Sequence, residues 1–190
     1  KRANIFLNGS YYCGLELITV MSAGLKVGDE IDEAALSDLQ RNSESETAFN
    51  KAVGFLAVRL RTEKEVRMKL KEKGYLNGVI DTVVDKLKEY GYLDDSRFAE
   101  EYINSYKNRA GEMKIRYDLR RLGVDAAVIE EKLSDLDQDD VLESVVTAAE
   151  RYLHSHDFDR MKLSRYLAGK GYPYDLISEA VRRVKEQEDT

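Results

Sequence analysis

Arg67 and Lys71 stand seven and three residues before Gly74, and Arg116 and Arg120 stand at the same two places before Gly123. Residues four apart lie on one face of a helix, so each pair forms a short cationic ridge. Arg59, Arg61, Lys64, Arg109, Lys114 and Arg121 add positive charge nearby. Arg160, Lys162 and Arg165 hold the corresponding stretch before Gly171, where Ser164 and Ala168 replace the registered cations. Guanidinium and ammonium groups repeated in this way suit the capture of a polyanion or of an acidic protein surface. The bland alternative for each single residue is a solvated helix face.

The total charge of −6 hides this arrangement. Residues 51–75 hold eight Lys/Arg against three acids, and residues 104–124 hold six against two. Residues 29–46 carry seven acids against Arg41, and residues 130–143 carry seven against Lys132. Such asymmetry directs attention to the middle of the chain rather than to its sum.

Other groups that could do chemistry have simpler readings. Asp94-Asp95 resembles an acid/base pair, but carboxylates gather at helix N-termini for capping and dipole reasons. Asp135-x-Asp137-x-Asp139 opens like a calcium loop, then has Asp140 where glycine is needed and Val146 where the bidentate glutamate belongs. His154-x-His156 lacks companion ligands. Cys13 lies in an expected strand with no histidine partner and reads as a buried thiol. Tyr102, Tyr106 and Tyr117 are near the basic segment and suit stacking on unpaired bases, whereas Tyr75 and Tyr172, each one residue after a register glycine, suit helix packing. Phosphate-binding glycine loops and hydrolase elbows are absent from the sequence. The expectation is a chain with no enzymatic activity, no metal and no cofactor.

The elements that position these residues repeat three times. Val66-x3-Leu70-x3-Gly74, Ile115-x3-Leu119-x3-Gly123 and Leu163-x3-Leu167-x3-Gly171 are followed by Ile80, Ile129 and Ile177 six residues after each glycine. Val84, Leu133 and Val181 come ten after, and Leu87, Leu136 and Val184 thirteen after. The glycines are 49 and 48 residues apart. Helix, stop, helix at a period near 48 marks a tandem helical repeat, in which each unit buries its apolar face against a neighbour. The spacing predicts helices over 48–60, 62–73 and 78–89, then 95–108, 112–122 and 125–136, then 140–154, 159–169 and 173–186. Thr62 with Glu65 has capping-box spacing, and Asn77, Asp94 or Asp95, and Asp125 are expected caps. Lys185–Thr190 is expected to fray.

The first 46 residues differ. Ala3–Leu7 and Tyr11–Cys13 flank Asn8-Gly9, which predicts a tight hairpin; short helices over 16–23 and 33–41 follow. Ser43 to Glu46 has a capping-box spacing, and a polar Asn-Ser-Glu-Ser-Glu linker is expected before the repeats. The resulting plan is mainly α: a small hairpin and helix module over 1–46, then an elongated array of three-helix repeats over 47–92, 93–137 and 138–190. One cysteine, no apolar run of membrane length and no secretory h-region point to a cytoplasmic protein with no membrane partner; it is taken as a monomer, with oligomeric state left open.

Two stretches are specific to a known family. Arg61-Thr62-x-x-Glu65-x4-Leu70-x2-Lys73-Gly74-Tyr75 and Gly91-Tyr92-Leu93-Asp94-Asp95-x-Arg97-Phe98-Ala99 resemble signatures of the bacterial RecX family, regulators of the RecA recombinase. Gly111-x3-Ile115-x3-Leu119-Arg120-x-Leu122-Gly123-Val124 matches more loosely. The resemblance covers roughly residues 49–184. Thr62 departs from the usual serine, and Glu112-Met113-Lys114 replaces a Pro-Arg-Arg-like stretch, which thins the basic patch there. The resemblance implies a non-enzymatic modulator that binds the RecA–single-stranded DNA filament and inhibits its ATPase and strand exchange, with basic helix edges reaching DNA or acidic subunit surfaces. Two other readings remain. One is a helical DNA-binding protein, against which stand Asp81, Asp85, Glu89, Glu130, Glu131 and Glu179 on the third helices. The other is a scaffold for proteins alone.

Overall fold

The computed structural model describes residues 1–188, which form one two-stranded sheet and ten helices in two compact units. Residues 1–60 and 66–93 make the first unit; residues 61–65 and the described residues from 94 onward make the second.

In the first unit, β1 (Arg2–Leu7) and β2 (Ser10–Glu16) pair antiparallel through a turn in which Asn8 and Gly9 both have positive φ, 52° and 80°. That geometry matches the twist of a hairpin and is why Asn-Gly stands there. A lone hairpin is marginal in water. Here Leu15 and Cys13 are buried with Leu36, and Ile5, Leu7, Tyr12, Val20, Leu25 and Ile31 close around them. Leu36 belongs to α2 (Glu33–Leu56), and α1 (Leu17–Ser22) follows directly from β2.

α2 overturns the expected break. It runs 24 residues without interruption through the Asn-Ser-Glu-Ser-Glu stretch, and its last helical residue is Leu56 rather than residue 60. Ser43 is no cap but a buried side chain whose Oγ accepts hydrogen bonds from the Glu16 amide (3.4 Å) and the Thr19 hydroxyl (3.3 Å). Leu36 anchors the first half of α2 to the hairpin core, while Ala48 and Ala52 pack with α4 (Asn77–Glu89) in the next. Two cores hold one helix, and that packing overrides the weak helix preference of Asn and Ser.

α3 (Glu63–Glu72) contributes Val66 and Leu70 to the second core, where Val79, Ile80, Val83, Val84 and Leu87 of α4 meet them. Asn77 is the first helical residue of α4 rather than its cap; Leu76 takes the cap position with no side-chain bond.

The second unit holds α5 (Asp95–Tyr106), α6 (Glu112–Leu122), α7 (Ala126–Ser134), α8 (Gln138–Leu153), α9 (Arg160–Gly169) and α10 (Tyr174–Glu188). Ile115 and Leu119 pack with Phe98, Ile103 and Ile129, and Leu163 and Leu167 pack with Val145, Ile177 and Val181. Asp94 caps α5 by accepting from the Ser96 and Arg97 amides, and Asp125 caps α7. α10 stays helical through Glu188 despite the expected fraying; Asp189 and Thr190 lie outside the described residues.

Each middle helix (α3, α6, α9) ends in the same turn. Gly74, Gly123 and Gly171 have φ of 85°, 96° and 86°, the left-handed region that any side chain would strain.

Candidate partner-binding surface on the middle helices

Within the second unit, the N-terminus of one middle helix meets the glycine turn of the next. The Gly111 amide donates to the Lys170 carbonyl (2.9 Å), and the Met113 amide donates to the Gly171 carbonyl (3.2 Å). A Cβ on Gly111 would lie 2.3 Å from the Gly171 backbone, so only two glycines allow this approach. Residues 61–65, the start of α3, meet the Gly123 turn in a parallel way. The Thr62 hydroxyl donates to the Leu122 carbonyl (2.8 Å), and Lys64 Nζ donates to the Arg121 carbonyl (2.9 Å). Carbonyls left over at the end of α6 thereby gain a hydroxyl and a cation. The Thr62–Glu65 capping box forms as the sequence suggests: the Glu65 amide donates to Thr62 Oγ1 and the Thr62 amide to Glu65 Oε2.

These joints employ several of the candidate cations. Lys64 is a joint residue with its stem over Gly123. Arg61 pairs with Glu65 at 3.2 Å with little exposure. Lys114 packs against Gly171, and its ammonium sits 3.3 Å from Asp118.

Three of the four registered cations are engaged as well. Arg67 Nη1 binds Asp81 Oδ1 at 2.5 Å in the first unit. In the second, Arg116 donates from Nε to Glu130 Oε1 (2.8 Å) and from Nη2 to Glu130 Oε2 (3.0 Å), and Arg120 reaches the same carboxylate at 3.5 Å. Asp81 and Glu130 both stand seven residues after their glycine, mirroring Arg67 and Arg116 seven before it. The Arg116 hydrogen bond holds the Glu130 carboxyl below its usual range, and the Glu130 hydrogen bond raises the guanidinium. In the third repeat both positions are serine, Ser164 and Ser178. The acids counted against major-groove binding are thus, in part, partners of the cations.

Lys71, Arg109, Arg121, Arg160, Lys162 and Arg165 are exposed, as is Arg59, whose guanidinium donates to the Leu60 carbonyl. Lys162 also lies 3.5 Å from Asp159, the cap of α9.

Sequence reasoning passed over the methionines of the middle helices, though it singled out Tyr117 beside them. Met68, Met113 and Met161 on the middle helices are 55%, 60% and 73% exposed, and Tyr117 is 66% exposed. Met113 and Met161 share the position ten before the glycine, and Met68 and Tyr117 the position six before. The available signal was an apolar residue off the core stripe at matched register.

The remaining candidates have local tasks. Asp95 accepts from the Glu63 amide at 2.8 Å, and Asp137 caps α8. His156 stacks on Tyr152 with centroids 4.2 Å apart. Tyr102 stacks on Tyr106 at 4.4 Å; its phenol, pushed up to about 12 by burial and then by Asp118, points at that carboxylate. Tyr172 is buried, sharing a hydrogen bond with Ser144, and Tyr75 packs on the first-unit core with its hydroxyl accepting from Lys51. Burial, with Glu44 adding to it, pushes the Cys13 thiol up. Among the described residues, no group of three His, Cys, Asp or Glu is placed to hold a metal, and no helix is long and apolar enough to cross a membrane.

Three consecutive family models match this chain: the RecX first three-helix domain at residues 48–87, the second at 94–133 and the third at 138–181. The chain belongs to the RecX family. A regulatory protein RecX of Clostridium botulinum (strain Eklund 17B / Type B) is 34% identical, over 97% of this chain and 90% of that one. The Bacillus licheniformis regulatory protein RecX is 31% identical, over 100% of this chain and 74% of that one. A crystal structure of a regulatory protein RecX shares the fold, with a TM-score of 0.77 over 94% of both chains at 22% identity. RecX from Lactobacillus salivarius gives 0.69 at 28% identity, covering 75% of this chain and 97% of that one. RecX is a regulatory family, and the motifs around Thr62 and Asp94 that suggested it are the capping box and the helix cap described above.

Proposed function

We propose that this chain is a non-enzymatic regulator that binds the RecA–single-stranded DNA filament and inhibits its ATP hydrolysis and strand exchange in the cytoplasm. The observation that carries the reading is the run of three RecX domains across residues 48–181. Exposed cations of the middle helices, Lys71, Arg121, Lys162 and Arg165, supply the attraction to acidic subunit surfaces or DNA phosphates. Arg67 and Arg116 contribute little to it, because Asp81 and Glu130 neutralise them. Three-helix domains arranged in tandem offer repeated contact surfaces, which suits a partner that is itself a repeating polymer.

The test is the ATPase of recombinase assembled on single-stranded DNA, measured with and without this protein. Reduced hydrolysis is expected. Unchanged hydrolysis together with salt-sensitive binding to duplex DNA would overturn the reading.

A further inference from the structure

On α6, Met113, Tyr117 and Arg121 stand four residues apart and form one outward stripe, opposite in role to the buried Ile115 and Leu119. The first two are more than half exposed, although methionine is among the residue types most often buried. α9 repeats the arrangement with exposed Met161 and Arg165. Three of the chain's four methionines occur on the middle helices, all exposed. Exposed Arg121 closes the α6 stripe, and exposed Arg160 and Lys162 flank the α9 stripe; Lys114 and Arg120 beside the α6 stripe are held by Asp118 and Glu130.

We propose that the outer stripe of α6, with its counterpart on α9, docks an acidic amphipathic helix of a protein partner. The inference rests on the regulator reading and identifies the contact within it. A row of side chains every four residues is a ridge that fits the groove of another helix. Thioethers are flexible and polarisable, so they adapt to an apolar face without donating hydrogen bonds. A cationic rim around that centre selects a helix whose flanks are acidic. Single-stranded nucleic acid fits less well. Such sites stack successive bases on successive rings and meet phosphates with donors. The α6 stripe offers one ring, and its exposed neighbours at the matching positions of α9 are a methionine and an arginine.

The test uses the full chain and the variant Met113→Ser/Tyr117→Ser/Met161→Ser. Two probes are read: a fluorescent 20-residue Leu/Glu amphipathic helical peptide, and the recombinase filament on single-stranded DNA. Wild type is expected to bind both, and the variant to weaken both about tenfold or more, in keeping with exposed anchors at an interface centre. Its melting curve should match wild type, because all three side chains are exposed. Should the triple variant melt early, Tyr117→Ser alone carries the same comparison. Variant binding within twofold of wild type on both probes overturns the proposal, as does failure of wild type to bind the peptide. Displacement of the peptide by oligo(dT) also overturns it, by making the stripe a nucleic-acid site. If the filament is not bound at all, the regulator reading falls, and the peptide result alone decides the stripe.

Discussion

α6 and α9 occupy the same register in consecutive repeats and differ in how they use it. α6 places Arg116 against Glu130 of the following helix, as α3 places Arg67 against Asp81. α9 has Ser164, and the following helix has Ser178. Cation and anion are absent together. The register-matched arginines therefore read as halves of an intrarepeat ion pair, not as free charges awaiting a ligand. What the helices keep in common is an exposed methionine ten residues before the glycine and a basic rim. The flank facing the third helix staples the repeat, and the flank facing solvent is the one proposed above to meet a partner.

The largest effect expected on this comparison comes from the shared skeleton. Leu119→Ala should cost about 2–5 kcal/mol in denaturant unfolding, because the side chain is fully buried between α5 and α7. A neutral result would contradict the α6 register. Gly111→Ala comes next, at about 1–3 kcal/mol, since the new methyl meets the Gly171 backbone. The same change at Gly54, whose Cβ would meet nothing within 4 Å, should be harmless or mildly stabilising. Asp94→Ala should cost about 1 kcal/mol by uncapping α5.

A smaller effect is expected from the ion pair, and its pH dependence has a definite sign. The Glu130 carboxyl is held below its unfolded value, so the pair stabilises fully above the ordinary glutamate range. That contribution is lost as pH falls through the lowered value in the folded state. Arg116→Ser should flatten this acid-side loss, and Glu130→Ser added to it should change little more, as a double-mutant cycle in melting temperature will show. At exposed Arg120 the same substitution should shift melting least.

The sequence revealed the skeleton because apolar spacing, glycine stops and caps are local signals. Thr62 with Glu65, Asp94 and Asp125 cap as their neighbours suggest. It misled over residues 42–46, where burial of Ser43 against β2 and α1, set by residues 24 and 27 positions away, keeps α2 intact. For the candidate surface, residue types were legible but partners were not. Arg116 and Glu130 are 14 residues apart on different helices, so their pairing emerges only from packing. The joint serine replacement in the third repeat was a readable hint of it. Met113 and Met161 escaped notice because hydrophobic pattern reading assigns apolar residues to cores.

The most direct measurement of the division between flanks compares two variants on the recombinase filament. One removes the inner pairs by Arg67→Ser/Asp81→Ser/Arg116→Ser/Glu130→Ser, and the other reverses the outer rim by Lys71→Glu/Arg121→Glu/Arg165→Glu. With folding confirmed by circular dichroism, the inner variant should inhibit filament ATPase like wild type, and the outer variant should lose about tenfold or more in potency. Loss of inhibition by the inner variant, with the outer one unaffected, would contradict the account.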